Sequence, residues 1–131
     1  MRQHHFNSRG FTLLELLVVV VIIGIVAAIG GSWVSGYVEN SKKVAAENGL
    51  RSIYLMEKEW LSEEGVYYGT GTGDHTAKIN TELFSGNQTL DVSGDYAFQI
   101  IAVASTSYVA SATADGKDTL CINHNNKTGC D

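Results

Sequence analysis

The 131 residues contain no proline. No helix can therefore be kinked or stopped by a pyrrolidine ring, and the ends of helices and turns are left to Gly, Asn, Asp and Ser. Cysteine is scarce: only Cys121 and Cys130 occur, both near the C-terminus, which excludes a scaffold held by several disulfides and a four-cysteine zinc site. Two cysteines fit an exported protein with one disulfide. Positive charge is also in the minority, with 9 basic against 14 acidic side chains and a formal charge of −5. An acidic chain repels phosphate, so general nucleic-acid binding is disfavoured. Between Phe11 and Ile29 charge almost vanishes, and Glu15 is the single ionisable group. At this length one compact domain with one core is the natural count.

The run from Phe11 to Ile29 would be about 28 Å long as a helix, against a hydrocarbon layer of roughly 30 Å. Four readings compete for it. One is a secretory signal peptide cut near Ala28-Ile29-Gly30, and a second is a plain membrane anchor. A third, a buried core helix, is disfavoured because the segment is apolar on every face. In the fourth, a peptidase cuts ahead of the run, which stays in the product. Glu15 separates them. A carboxylate within lipid costs roughly 2.5–3.5 kcal/mol on insertion scales, so an intramembrane acid points to function. A signal peptide has no use for one.

The stretch Arg9-Gly10-Phe11-Thr12-Leu13-Leu14-Glu15-Leu16-Leu17, followed by the apolar residues to Ile29, resembles the N-terminal signature of the type IV pilin and pseudopilin family. The resemblance is close over roughly the first 30 residues and extends to the remainder only in layout. It implies a leader, residues 1–10, cut off by a prepilin peptidase between Gly10 and Phe11. It also implies N-methylation of Phe11 and a role in assembly for Glu15, fifth in the mature chain. Gly10 has no Cβ to obstruct a peptidase, and Arg2 and Arg9 hold the leader on the cytoplasmic side. The new α-amine is a cation at a helix N-terminus, where the helix dipole is already positive. A carboxylate from a neighbouring subunit's Glu15 neutralises it, turning two isolated charges in lipid into one pair that sets register. Glu15 of the same chain, about one turn away, can serve in the monomer.

From Trp33 onward the apolar positions thin to a stripe (Val34, Tyr37, Val38, Val44, Ala45, Ile53, Met56, Trp60) at mostly helical spacing. The helix is expected to end near Ser62, before Gly65. From Phe11 it would run about 78 Å, too long for a globule of this size to bury. Heptads are not sustained long enough for a coiled coil. Gly30-Gly31-Ser32 stands about where many pilins carry a proline, and with Gly24 predicts a weak stretch open to kinking or local melting. Residues 65–94 read as a flexible surface loop anchored by Leu83, Phe84 and Leu90. Gly69-Thr70-Gly71-Thr72-Gly73-Asp74 lacks the Lys-Ser/Thr and the preceding strand of a phosphate-binding loop. Three strands follow: Tyr96 to Val103, one opening at Tyr108, and Thr119 to Asn123, with Ala114-Asp115-Gly116-Lys117 as a turn.

The expected fold is thus α+β: a long N-terminal helix whose apolar first half protrudes, packed on a small antiparallel meander of three or four strands, as the resemblance also implies. The expected division is a leader at 1–10, a transmembrane and assembly helix at 11–35, and a globular domain at 36–131. Within that domain the helix runs to about 62, the sheet covers 95–123, and a disulfide closes the tail at 121–130. Cys121, Cys130 and His124 could suggest a metal, but zinc wants a fourth ligand and only His75 remains in the mature chain. A disulfide is the expected chemistry, with no metal and no cofactor. The sequons Asn87-Gln88-Thr89 and Asn126-Lys127-Thr128 are assigned no role.

No nucleophile–base pair is legible, so no enzymatic activity is expected. What the resemblance implies is a structural pilus subunit, major or minor, serving adhesion, twitching motility or DNA uptake. The short mature chain leans toward a minor or accessory subunit. A type II secretion pseudopilin and a ligand-binding pilin, such as a DNA receptor, are the alternatives; the terminal disulfide favours a pilus. The implied partners are other pilin subunits, the prepilin peptidase, the inner-membrane assembly machinery and inner-membrane lipid. The implied location is the inner membrane as a single-pass precursor, then the extracellular filament.

Overall fold

The structure, a computed structural model, describes residues 10–130. The leader reading thus lies outside the described residues except at Gly10. Helix α1 spans Leu13–Glu64 without interruption over 52 residues. The helical path runs through Gly24, Gly30 and Gly31, so the predicted local melting is not present. Ile23 and Ile25 flank Gly24, Ile29 and Val34 lie on either side of Gly30 and Gly31, and the helix spans all three glycines.

The chain divides into two compact units, the first ending at Val38 and the second starting at Glu39. In the first, the helix from Leu13 to Gly31 has a mean hydropathy of 3.0 and none of it is buried. By length and composition it can cross a membrane. The second unit carries the core. Its elements after α1 are α2 (Thr76–Glu82), β1 (Ala97–Ala104), β2 (Ser107–Thr113) and β3 (Leu120–Asn123). The three strands form one antiparallel sheet in the order β1-β2-β3. This is the expected α+β architecture, with three strands and a second helix that periodicity did not announce.

The expected stripe of α1 holds in its C-terminal part, where Ile53 is buried and Met56 and Trp60 pack half-buried against the core. It fails earlier: Val44 and Ala45 are exposed, and the fully buried positions are Ala46, Leu50, Ile53 and Glu57. The spacing of four, three and four keeps these on one face. Gly49 shares that face, and a Cβ there would stand 2.9 Å from Leu90 Cδ2 and 3.0 Å from the Phe98 ring. The missing side chain is what lets α1 come down onto Leu90 and β1. From Tyr96, just before β1, the alternation holds through Phe98 and Ile100, all buried, but ends at Ala102, which is exposed. Leu83, Phe84 and Leu90 anchor their segment in the core.

Residues 65–94 are not the flexible loop the composition suggested. Besides α2, the stretch from Gly69 to Thr76 closes the outer edge of β1. Thr70 and Gly71 donate their N–H groups to the Ile100 carbonyl at 2.8 and 3.2 Å, and His75 donates to the Phe98 carbonyl at 2.9 Å. The β1 donors are met by hydroxyls: Ile100 N–H reaches Thr70 Oγ1 at 2.9 Å, and Phe98 N–H reaches Thr76 Oγ1 at 3.0 Å. Gly69 allows the approach, because a Cβ there would lie 2.9 Å from that of Ala102. The amides of Thr70, Gly71 and Gly73 are thus spent on β1, the last on the Gln99 side chain. On the opposite edge the tail folds back along β3. Asn123 and Gly129 donate to the carbonyls of Lys127 and Cys121, and Ile122 bridges Thr128. An unpaired strand edge invites pairing with another chain; here irregular segments cover both edges.

Candidate functional site

The helix start is built by Thr12. Its carbonyl accepts the Leu16 N–H at 3.2 Å and its hydroxyl accepts the Glu15 N–H at 3.2 Å. Thr12 is therefore the N-cap and Glu15 the third helical residue, an arrangement that satisfies one of the four orphan N–H groups of a first turn. The Thr-x-x-Glu spacing is a capping-box signature. Sequence reasoning named Glu15 for assembly and overlooked Thr12, although the spacing alone would have found it. Phe11 is 83% exposed. Gly10, Phe11 and Glu15 thus cluster at the first turn of α1. Among the described residues nothing requires glycine at position 10, since a Cβ added there meets no atom within 4 Å.

The other predicted pair sits in the second unit. Cys121 on β3 and Cys130 in the tail form a disulfide, with their Cα atoms 5.1 Å apart. Neither sulfur is available as a thiolate ligand. The histidines considered for zinc serve elsewhere: His75 sits at the start of α2 with its ring nitrogen against the Thr72 carbonyl, and His124 packs near the Tyr67 ring.

Three features of this unit escaped sequence reasoning. The first is Glu57, fully buried on the α1 stripe. Its Oε2 accepts the Tyr68 N–H at 3.0 Å, and among the described residues its Oε1 has no hydrogen-bond partner. Burial pushes its carboxyl up to about 7, outweighing the downward pull of the Tyr68 amide. An acid at i+4 from Ile53 on an apolar stripe was the legible signal. The second is Tyr68, whose hydroxyl donates to Glu82 Oε2 at 2.6 Å. Burial first, then that bond and charge, push its phenol upward. The third is a surface charge cluster in which Lys42 and Lys117 meet Asp95 at 2.7 and 3.3 Å, and Lys117 also meets Glu39. Bonds from Lys42 and then Lys117 hold the Asp95 carboxyl below its ordinary value.

Comparison with known proteins addresses the two units differently. Residues 5–31 match the family described as the prokaryotic N-terminal methylation motif. Over 114 residues, 86% of this chain, the sequence is 33% identical to a protein of Myxococcus xanthus (strain DK1622) described as type IV major pilin protein PilA. The match covers 46% of that relative, so the chain spans about half the length of the curated relative it matches. No solved structure matches the chain. The methylation motif lies over Gly10 to Glu15 and the apolar helix, and an α+β domain with an antiparallel sheet follows it. The chain thus carries the N-terminal methylation motif over residues 5–31 and is similar, over most of its length, to a protein described as a type IV major pilin.

Proposed function

We propose that this chain is a structural subunit of a type IV pilus, made as a single-pass inner-membrane precursor and assembled into an extracellular filament. The observation that carries this is the helix from Leu13 to Gly31: strongly apolar, unburied along its whole length, and headed by Glu15 within a methylation motif. Among the described residues none of that surface is buried, so in water it would expose an apolar patch far beyond what a soluble monomer tolerates. Lipid covers it before assembly and the helices of other subunits cover it afterwards.

In this reading residues 1–10 are the leader, residues 11–35 the membrane and assembly helix, and residues 36–131 the globular domain. The peptidase cuts between Gly10 and Phe11, and Phe11 is N-methylated. The Phe11 amine and the Glu15 carboxylate of a neighbouring subunit pair in the shaft. Thr12 supports this by fixing where the helix begins, which fixes the distance from amine to carboxylate. The role is structural rather than catalytic. The relative's description as a major pilin supports a pilus over a secretion pseudopilus, as does the disulfide-closed tail.

Intact-mass measurement of purified filaments tests the proposal. The expected species begins at methylated Phe11. A product beginning near Gly31 would mean cleavage by a signal peptidase, and the reading would fall. Subunit ratios in the same preparation decide between a major and a minor role. Recovery of the chain only with a secretion system's short filament would favour the pseudopilin alternative.

A further inference from the structure

The filament role makes no use of the most unusual group in the second unit. Glu57 has no exposed surface, and among the described residues two buried side-chain oxygens lack a hydrogen-bond partner: Glu57 Oε1 and the Tyr108 hydroxyl. A buried polar atom without a partner is costly, and a buried charge without one costs more. Yet Glu57 occupies a position where Leu or Met would pack, one turn beyond Ile53 on the core face of α1.

Among the described residues no cation pairs with it. On α1 the titratable neighbours are Tyr54 and Lys58, and Lys58 Nζ lies 5.5 Å over the Tyr54 ring and 3.4 Å from the Tyr67 hydroxyl. The segment after α1 contributes Tyr67 and Tyr68, and α2 contributes Glu82 by way of the Tyr68 hydroxyl. From β2 comes Tyr108, whose phenol is pushed up by burial and then by the Glu57 charge. Beyond β3 stands His124, its ring 6.4 Å from that of Tyr67. Among the described residues no ion pair to Glu57 is formed. The group is surrounded by phenols, and its one bond goes to the backbone of Tyr68. That residue directly precedes Gly69 and Thr70, where the segment closing the β1 edge begins.

We infer that Glu57 is a proton-operated latch: protonated, it lets the Tyr67–Tyr68 segment seat against α1 and β2; ionised, it loosens that segment and with it the cover over the edge of β1. Protonation removes the unpaired buried charge and gives the carboxyl a hydrogen to donate. Ionisation strengthens the bond from Tyr68 N–H, but desolvation of the charge is the larger effect. The direction follows by linkage. An acid whose pKa rises on folding binds more protons when folded. Its stabilising contribution is complete below the ordinary carboxyl value of 4.5 and is lost as the pH climbs to about 7. The latch therefore closes in acid and slackens toward neutrality. It is a property of the second unit and does not rest on the pilus reading.

The test uses the full chain in detergent micelles at pH 4 to 8, comparing the wild type with Glu57→Gln. The amide still accepts from Tyr68 and cannot ionise. The melting midpoints should draw apart as the pH rises from 4.5 to 7, with the wild type falling behind by on the order of 10 °C. Amide exchange at Thr70 and Ile100 should accelerate over the same interval in the wild type alone. A pH-independent difference between the two proteins overturns the inference. Should Glu57→Gln fail to fold, the carbon NMR titration of the Glu57 carboxyl in the wild type decides. A midpoint well above 4.5 supports the latch, and an ordinary midpoint overturns it.

Discussion

The two units of this chain solve opposite problems with the same helix type. Residues 13–31 are apolar all round and bury nothing, so their sequence is constrained by an external environment and by a few atoms at the N-terminus. Residues from Glu39 onward hide one narrow stripe of α1 and must satisfy that stripe from within. Glycine shows the difference. Gly24, Gly30 and Gly31 have open space where a side chain would go, whereas Gly49 faces Leu90 and Phe98. The same residue type is a weak point in one region and a packing requirement in the other. The two acids show it as well: Glu15 is exposed at a helix start, where the dipole favours an anion, while Glu57 lies in a core that disfavours charge.

The sharpest way to break this contrast is at Glu15. Glu15→Gln should be processed and inserted normally yet assemble poorly. Losing one member of a desolvated pair costs about 3–5 kcal/mol, so filament yield should drop roughly tenfold or more. Filaments of normal abundance would sink the charge-pair account. Gly10 offers a companion result: a bulky residue there should leave unprocessed chain in the membrane, visible by mass. Since nothing in the chain crowds that position, the defect belongs to the peptidase.

Next in size is the disulfide. Cys121→Ser should lower the stability of the second unit by about 2.7 kcal/mol on the chain-entropy account of a loop of about ten residues. Chemical denaturation under oxidising conditions measures this, and a reduced wild type should match the variant. Identical curves for all three would show that backbone pairing alone holds the tail on β3.

The glycine comparison predicts a change of sign. Gly49→Ala gains about 1 kcal/mol of helix propensity but must displace Leu90 and Phe98, and overpacking costs about 1–3 kcal/mol. The net result should be destabilising. Gly30→Ala has no such opposition and should raise helicity in micelles, by up to about 1 kcal/mol. Equal signs at the two positions would erase the distinction between the units. The smallest effect is expected at Asp95. Asp95→Asn should shift the melting midpoint only slightly, because the cluster is solvent-screened, and high salt should abolish the difference. Its lowered pKa makes its contribution present above the ordinary carboxylate value and lost in acid, opposite in direction to Glu57.

The legible parts of this protein were those governed by local order. The apolar run and the acid in its first turn are contiguous in sequence, and a helix that buries none of its surface demands no particular partner for each side chain. Strand positions followed from alternation in Tyr96, Phe98 and Ile100, and a sequence with only two cysteines allows one intramolecular pairing. Only the tertiary structure decided which face of α1 is buried. Val44 and Ala45 are as apolar as Ala46, and the choice among them rests on where Leu90 and the sheet press against Gly49. It also decided the fate of Gly69 to Thr76. The composition of that stretch describes a loop, but its hydroxyls and amides are at the right height to finish the hydrogen bonding of β1, which depends on residues 22 to 30 positions away. Glu57 lies between these cases: its place on the stripe was readable, whereas its isolation from any cation is a property of the phenols that the fold gathers around it.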